Sequence, residues 1–122
     1  MLVSDFFARK PIIGMAHVLA LPGSPLYDAT GGLSAVREAL RRDVVALQEG
    51  GVDAILFCNE NDRPYQLKVG PETVAVMAAL VGEFAPGLAI PYGVDVLWDP
   101  VAALAVAKAT GASFVREIFT GV

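Results

Sequence analysis

Four apolar runs, beginning near residues 11, 52, 88 and 113, are separated by three segments whose apolar residues return every third or fourth position. This alternation of strand-like and helix-like patterns leaves few folds open. A strand apolar on both faces needs cover on both, and an amphipathic helix after each strand supplies it, so the chain predicts a parallel sheet covered by helices. The first run is "PIIGMAHV". It is followed by a Pro and Gly loop, then by Leu33, Val36, Leu40, Val44 and Leu47 at helical spacing. Gly50 and Gly51 end that helix, because glycine accepts the left-handed backbone of a C-terminal cap.

The second run, "VDAILF", leads into "CNENDRPYQLKVGPET", a polar connection longer than the usual two to six residues. Pro71 suits the first turn of the next helix, whose stripe is Val74, Met77, Leu80, Val81 and Phe84, and Pro86 with Gly87 stops it. The third run, "LAIPYGVDVLW", carries a Pro and a Gly that predict a bend or a close backbone approach. Asp99 before Pro100 is a capping carboxylate before a residue that needs no N–H partner; it starts the helix "PVAALAVAKAT", which Gly111 closes. The fourth run is "SFVREIFTGV". The joins "EGGVDAILF" and "ATGASFVRE" resemble each other, as repeated βα units do. Right-handed crossovers curl four such strands into an arc, half of a (β/α)8 barrel. The rival is an open doubly wound sheet, which needs helices on both faces and a reversal of strand order.

Composition narrows the function classes. The 122 residues suffice for one modest domain, expected to span 1–122 as an incomplete barrel, and the 55% hydrophobic content excludes disorder. A net charge of -4, with no basic run, argues against a nucleic-acid surface. The single cysteine, Cys58, excludes an internal disulfide framework, and a cytoplasmic location is the simplest expectation. No apolar run approaches the roughly 20 residues of a membrane span, which leaves only peripheral membrane contact.

The stretches "KPIIGMAHVLALPGSPLYD", "EGGVDAILFCNENDRPYQLKVGPETVAVMA" and "PYGVDVLWDPVAALAVAKATGASFVREIFTGV" together resemble the BtpA/SgcQ family, whose members are usually about twice this length. The resemblance implies an α/β fold, the N-terminal half of a (β/α)8 TIM barrel of the ribulose-phosphate-binding type, with four parallel strands and three helices. It implies one of two roles. The first is an enzyme on a small polar, sugar-derived or phosphorylated metabolite, since many members occur beside sugar-uptake genes. The second is a non-catalytic photosystem I biogenesis or membrane-complex stabilising factor, the role behind the family name. At Asp95 many members carry Asn, so a role requiring a neutral amide does not carry over.

Barrels of this kind place their sites at the C-terminal ends of the strands. There the sequence puts His17, Asn59, Glu60, Asp95, Arg116 and Glu117. Charges within a helix-covered strand are expected to point into the barrel, and alternation lets only one of Arg116 and Glu117 do so. His17, Glu60, Asp95 and Arg116 are the candidate catalytic residues. Glu60 or His17 would move a proton, Asp95 would orient it or the substrate, and Arg116 would neutralise developing negative charge. Asn59, Arg63, Tyr65, Lys68 and Glu117 are candidate substrate contacts, the loop residues acting as a clamp on an anionic ligand. Each has a structural alternative: a hydrogen-bonded histidine, solvated loop side chains, and an Asp95–Arg116 pair that only ties adjacent strands. No cofactor is expected. A divalent metal on His17, Glu60 and Asp95 is the lesser alternative, and their spacing gives it no support. The first and fourth strands would leave apolar edges open, which predicts a homo-oligomer or a longer chain.

Overall fold

The computed structural model describes residues 3–6 and 8–119. A short helix α1 (Val3–Phe6) precedes β1 (Ile13–His17), α2 (Gly32–Glu49), β2 (Ala54–Cys58), α3 (Pro71–Phe84), β3 (Tyr92–Asp95), α4 (Pro100–Thr110) and β4 (Phe114–Val115). The chain is therefore an α/β fold with four parallel strands in the order β1-β2-β3-β4. The order never reverses, unlike that of a doubly wound sheet.

One face of the sheet makes the core. Ala16, Val18, Ile55, Phe57, Val94 and Val96 alternate along their strands and form one cluster with Val36, Leu40 and Val44 of α2, Met77, Leu80, Val81 and Phe84 of α3, and Ala102, Ala103 and Val106 of α4. All three long helices thus lie on the same face. The intervening residues, among them Met15, Leu56, Cys58, Gly93 and Asp95, look the other way. Phe114 stands with them, since a Cβ on Gly93 would collide with its ring. That is the close approach predicted by a glycine inside an apolar run. Phe6 of α1 lies with its ring centroid 6.0 Å from that of Phe114.

The strands are shorter than the apolar runs. Residues 88–91 precede β3, because a 3₁₀ turn at Ala85–Gly87 follows α3 and Pro91 has no N–H for the ladder; its carbonyl still accepts from Ile55 N at 3.0 Å. β4 holds only two residues of the expected 113–122, and residues 120–122 lie outside the described part.

The helix boundaries follow local chemistry. Pro71 opens α3 after Gly70, and Gly111 closes α4 at φ 79°. Asp99 caps α4, its Oδ1 accepting from Ala102 N at 3.0 Å, while its Oδ2 accepts from Val69 N at 2.9 Å in the loop before α3. Asp99→Ala leaves the buried Ala102 N–H and the half-buried Val69 N–H without their acceptor. It is expected to lower stability by about 2 kcal/mol, the sum of a lost cap and a lost loop anchor. A denaturant melt checks this; a change under about 0.5 kcal/mol would show that water replaces both bonds.

Candidate active site

Parallel register builds the site by bringing one residue from each strand to the same level. His17 pairs with Cys58 and Cys58 with Asp95, and Arg116 continues the row by donating its N–H to Val94 O at 3.2 Å. The row runs along the C-terminal edge of the sheet on the face opposite the helices.

Asp95 is its centre and is fully buried. Arg116 Nε and Nη2 approach its Oδ2 at 2.8 and 2.7 Å, while Oδ1 is buried with no hydrogen-bond donor among the described residues. The guanidinium also reaches Met15 Sδ and Cys58 Sγ, each at 3.9 Å. Burial pushes the Asp95 carboxyl above the ordinary range, and Arg116 partly offsets that shift. Burial disfavours the Arg116 charge as well, yet the neighbouring Asp95 carries it net upward. Cys58 is buried, and its thiol is pushed up by burial and by the Asp95 and Glu60 charges, so it stays protonated.

Glu60 stands beside the row. The Cys58 thiol lies 3.6 Å from its Oε2, and the Tyr65 hydroxyl donates to its backbone carbonyl at 2.6 Å, with Oε1 at 3.3 Å. Tyr65 is held edge-on against Trp98, ring centroids 5.3 Å apart. Glu117 comes close as well, which corrects the expectation that alternation admits only one of Arg116 and Glu117. β4 ends at Val115, so strand geometry no longer separates the two side chains, and the Glu117 carboxyl comes within hydrogen-bonding reach of Asp95.

Four predicted residues stand outside this group. Asn59 is buried, its Oδ1 accepting from Leu97 N at 2.8 Å and its Nδ2 donating to Asp62 at 3.3 Å. It shares the helix-facing parity of Phe57 and ties the ends of β2 and β3 together. Arg63 and Lys68 are exposed on the β2–α3 loop. His17 lies in the row but is exposed, with no side-chain bond among the described residues. Among the described residues no group of three His, Cys, Asp or Glu side chains is placed to hold a metal ion.

Sequence reading missed Asp62 and Asn61. Asp62 Oδ1 accepts from Leu21 N at 2.7 Å and Asn61 Nδ2 donates to Val18 O at 2.9 Å, pinning the β1–α2 loop over the strand ends. Burial pushes the Asp62 carboxyl up, while the Leu21 N–H and the Asn59 amide pull it down. The signal was the density of short polar side chains in "CNEND", which bond readily to nearby backbone. Beside them a cavity of about 170 Å³ opens, lined by Ser24, Asn59, Asp62, Gln66, Glu72 and Thr73 among others.

The model of the BtpA family matches residues 8–122. The chain belongs to the BtpA family. It is 53% identical over 93% of its length to the putative sgc region protein SgcQ of Escherichia coli, covering 42% of that protein. It is 37% identical over 99% of its length to the photosystem I biogenesis protein BtpA of Synechocystis, again covering 42% of the relative. An uncharacterized protein of Archaeoglobus fulgidus is 45% identical over 88% of the chain and 43% of its own length. The chain thus spans less than half of these BtpA-family relatives. No solved structure matches it. Among the described residues, no helix is long and apolar enough to cross a membrane.

Proposed function

We propose that the four strands are an arc of a (β/α)8 barrel of the ribulose-phosphate-binding type, and that their C-terminal edge forms part of an enzyme site for a small polar, sugar-derived or phosphorylated metabolite. Further strands, from additional chain as in the longer relatives or from a second copy, would close the arc. Asp95 carries the reading. A carboxylate at 0% exposure, with one oxygen on Arg116 and the other without a hydrogen-bond donor among the described residues, costs stability, and costs of this kind cluster at functional sites. The neighbours supply the rest of an acid–base site. Glu60, oriented by Tyr65, accepts a proton; Asp95 holds Arg116 in place; Arg116 neutralises negative charge on the reacting group. His17 offers a second proton carrier on the same row, and Arg63 and Lys68 provide cations at the rim for an anionic substrate.

The test is a turnover screen of sugar phosphates and related metabolites with the full protein. Glu60→Gln and Asp95→Asn are each expected to lose at least tenfold in turnover with the fold retained by circular dichroism. Unchanged turnover in both removes the acid–base reading.

A second reading, an assembly factor, draws on the name of the Synechocystis relative and on the exposed apolar side chains of Leu67, Val101 and Leu104, at 78%, 77% and 54%. An assembly role survives Asp95→Asn, whereas turnover does not, so the same variants separate the two.

A further inference from the structure

Among the described residues, two buried oxygens on neighbouring carboxyls have no hydrogen-bond donor: Oδ1 of Asp95 and Oε2 of Glu117. Both are acceptors when ionised, and neither can satisfy the other without a proton. The remaining oxygens are committed elsewhere, Asp95 Oδ2 to Arg116 and Glu117 Oε1 to Ile118 N at 3.1 Å. A single proton between the carboxyls removes both defects at once. We propose that Asp95 and Glu117 form a carboxylic acid–carboxylate pair holding one proton between them, with Glu117 as the acid that delivers it to an oxygen of a small molecule at the strand ends.

The surroundings assign the proton to Glu117. Asp95 has the Arg116 guanidinium to keep it ionised, with Cys58 and Glu60 on its β2 side. Glu117 faces Asp95 from β3 and the Asp99 carboxylate at the start of α4. Burial first, then these two carboxylates, push it from 4.5 up to about 7, against the pull of the Ile118 N–H. Donation breaks the O–H bond of Glu117 and forms one at the ligand oxygen. The pair is left doubly negative beside one guanidinium, and a proton from solvent restores it.

This inference rests on the enzyme reading for its acceptor molecule, but the pair can be measured without one. In the folded protein with ¹³C-labelled carboxyls and no added ligand, a side-chain resonance lost in Glu117→Gln is expected to titrate near pH 7. A Glu117 carboxyl titrating near 4.5 overturns the pair. A folded acid that the unfolded chain releases between 4.5 and 7 stabilises fully below that window and loses its contribution as pH rises through it. The denaturant midpoint of the native protein should therefore fall from about pH 5 to 8 more steeply than that of Glu117→Gln, and equal slopes count against the proposal. If a metabolite is turned over, Glu117→Gln is expected to slow it at least tenfold; turnover within about threefold removes the donor role and leaves the enzyme reading intact. If nothing is turned over, the enzyme reading and the donor role fall together, and the titration alone decides the shared proton.

Discussion

Arg116→Met is expected to lower folding stability by about 2 kcal/mol at neutral pH, because it leaves the Asp95 carboxylate buried without its counter-charge. The loss falls below the roughly 3–5 kcal/mol of a wholly buried pair, since the Arg116 side chain is 52% exposed while that of Asp95 is 1% exposed. Its pH dependence has a definite sign. Burial already raises the Asp95 carboxyl, and removing the guanidinium raises it further, so the variant holds a proton that the unfolded chain releases. The deficit is therefore greatest in alkali and shrinks in acid as Asp95 protonates. Pairing Arg116→Met with Asp95→Leu should restore much of the loss, because both charges then leave together. Denaturant melts of the four proteins in this cycle measure the coupling, and strictly additive losses would mean that Asp95 and Arg116 do not depend on each other.

The larger effect belongs to Phe57→Ala, at about 4 kcal/mol. Phe57 is fully buried on β2 and meets Tyr92 of β3 edge-on at 6.2 Å, and Tyr92 in turn donates its hydroxyl to the Thr110 carbonyl at the end of α4. Truncation opens a cavity where two strands and a helix converge, directly behind the Cys58–Asp95 row. Against the roughly 5–15 kcal/mol that holds an ordinary domain folded, such a loss leaves little margin. A thermal or urea melt reads it, and a loss under about 1 kcal/mol would mean that the neighbouring side chains collapse into the space.

What the sequence revealed was whatever repeats or sits at a fixed offset. Val36, Leu40 and Val44 are buried where a 3.6-residue period puts them, and Asp99 caps the helix that Pro100 begins. The strand edge holding Asp95 and Arg116 was legible because charges interrupt otherwise apolar runs. Contacts between distant residues left no such mark. Asp62 bonds a backbone amide 41 positions away, and Asn59 resembles any polar residue after a strand until Leu97 N is seen against it. Glu117 is a candidate contact in the sequence, but the expectation that only one of it and Arg116 turns inward extends period-two alternation past Val115, where the ladder ends. The helix at Val3–Phe6 is one turn long, too short to show any period.

The two hydrogen bonds of Asp99 join segments that the sequence separates by thirty positions. One oxygen holds the loop that carries Arg63, Tyr65 and Lys68; the other holds the first turn of α4. Swinging the loop away from the strand ends breaks its bond to Val69 and frees the carboxylate to rotate, so motion of the loop and fraying of the helix become one event. Access to the strand ends and the integrity of α4 are in this way governed by the same carboxylate, and amide protons in both segments should exchange with solvent through a common opening.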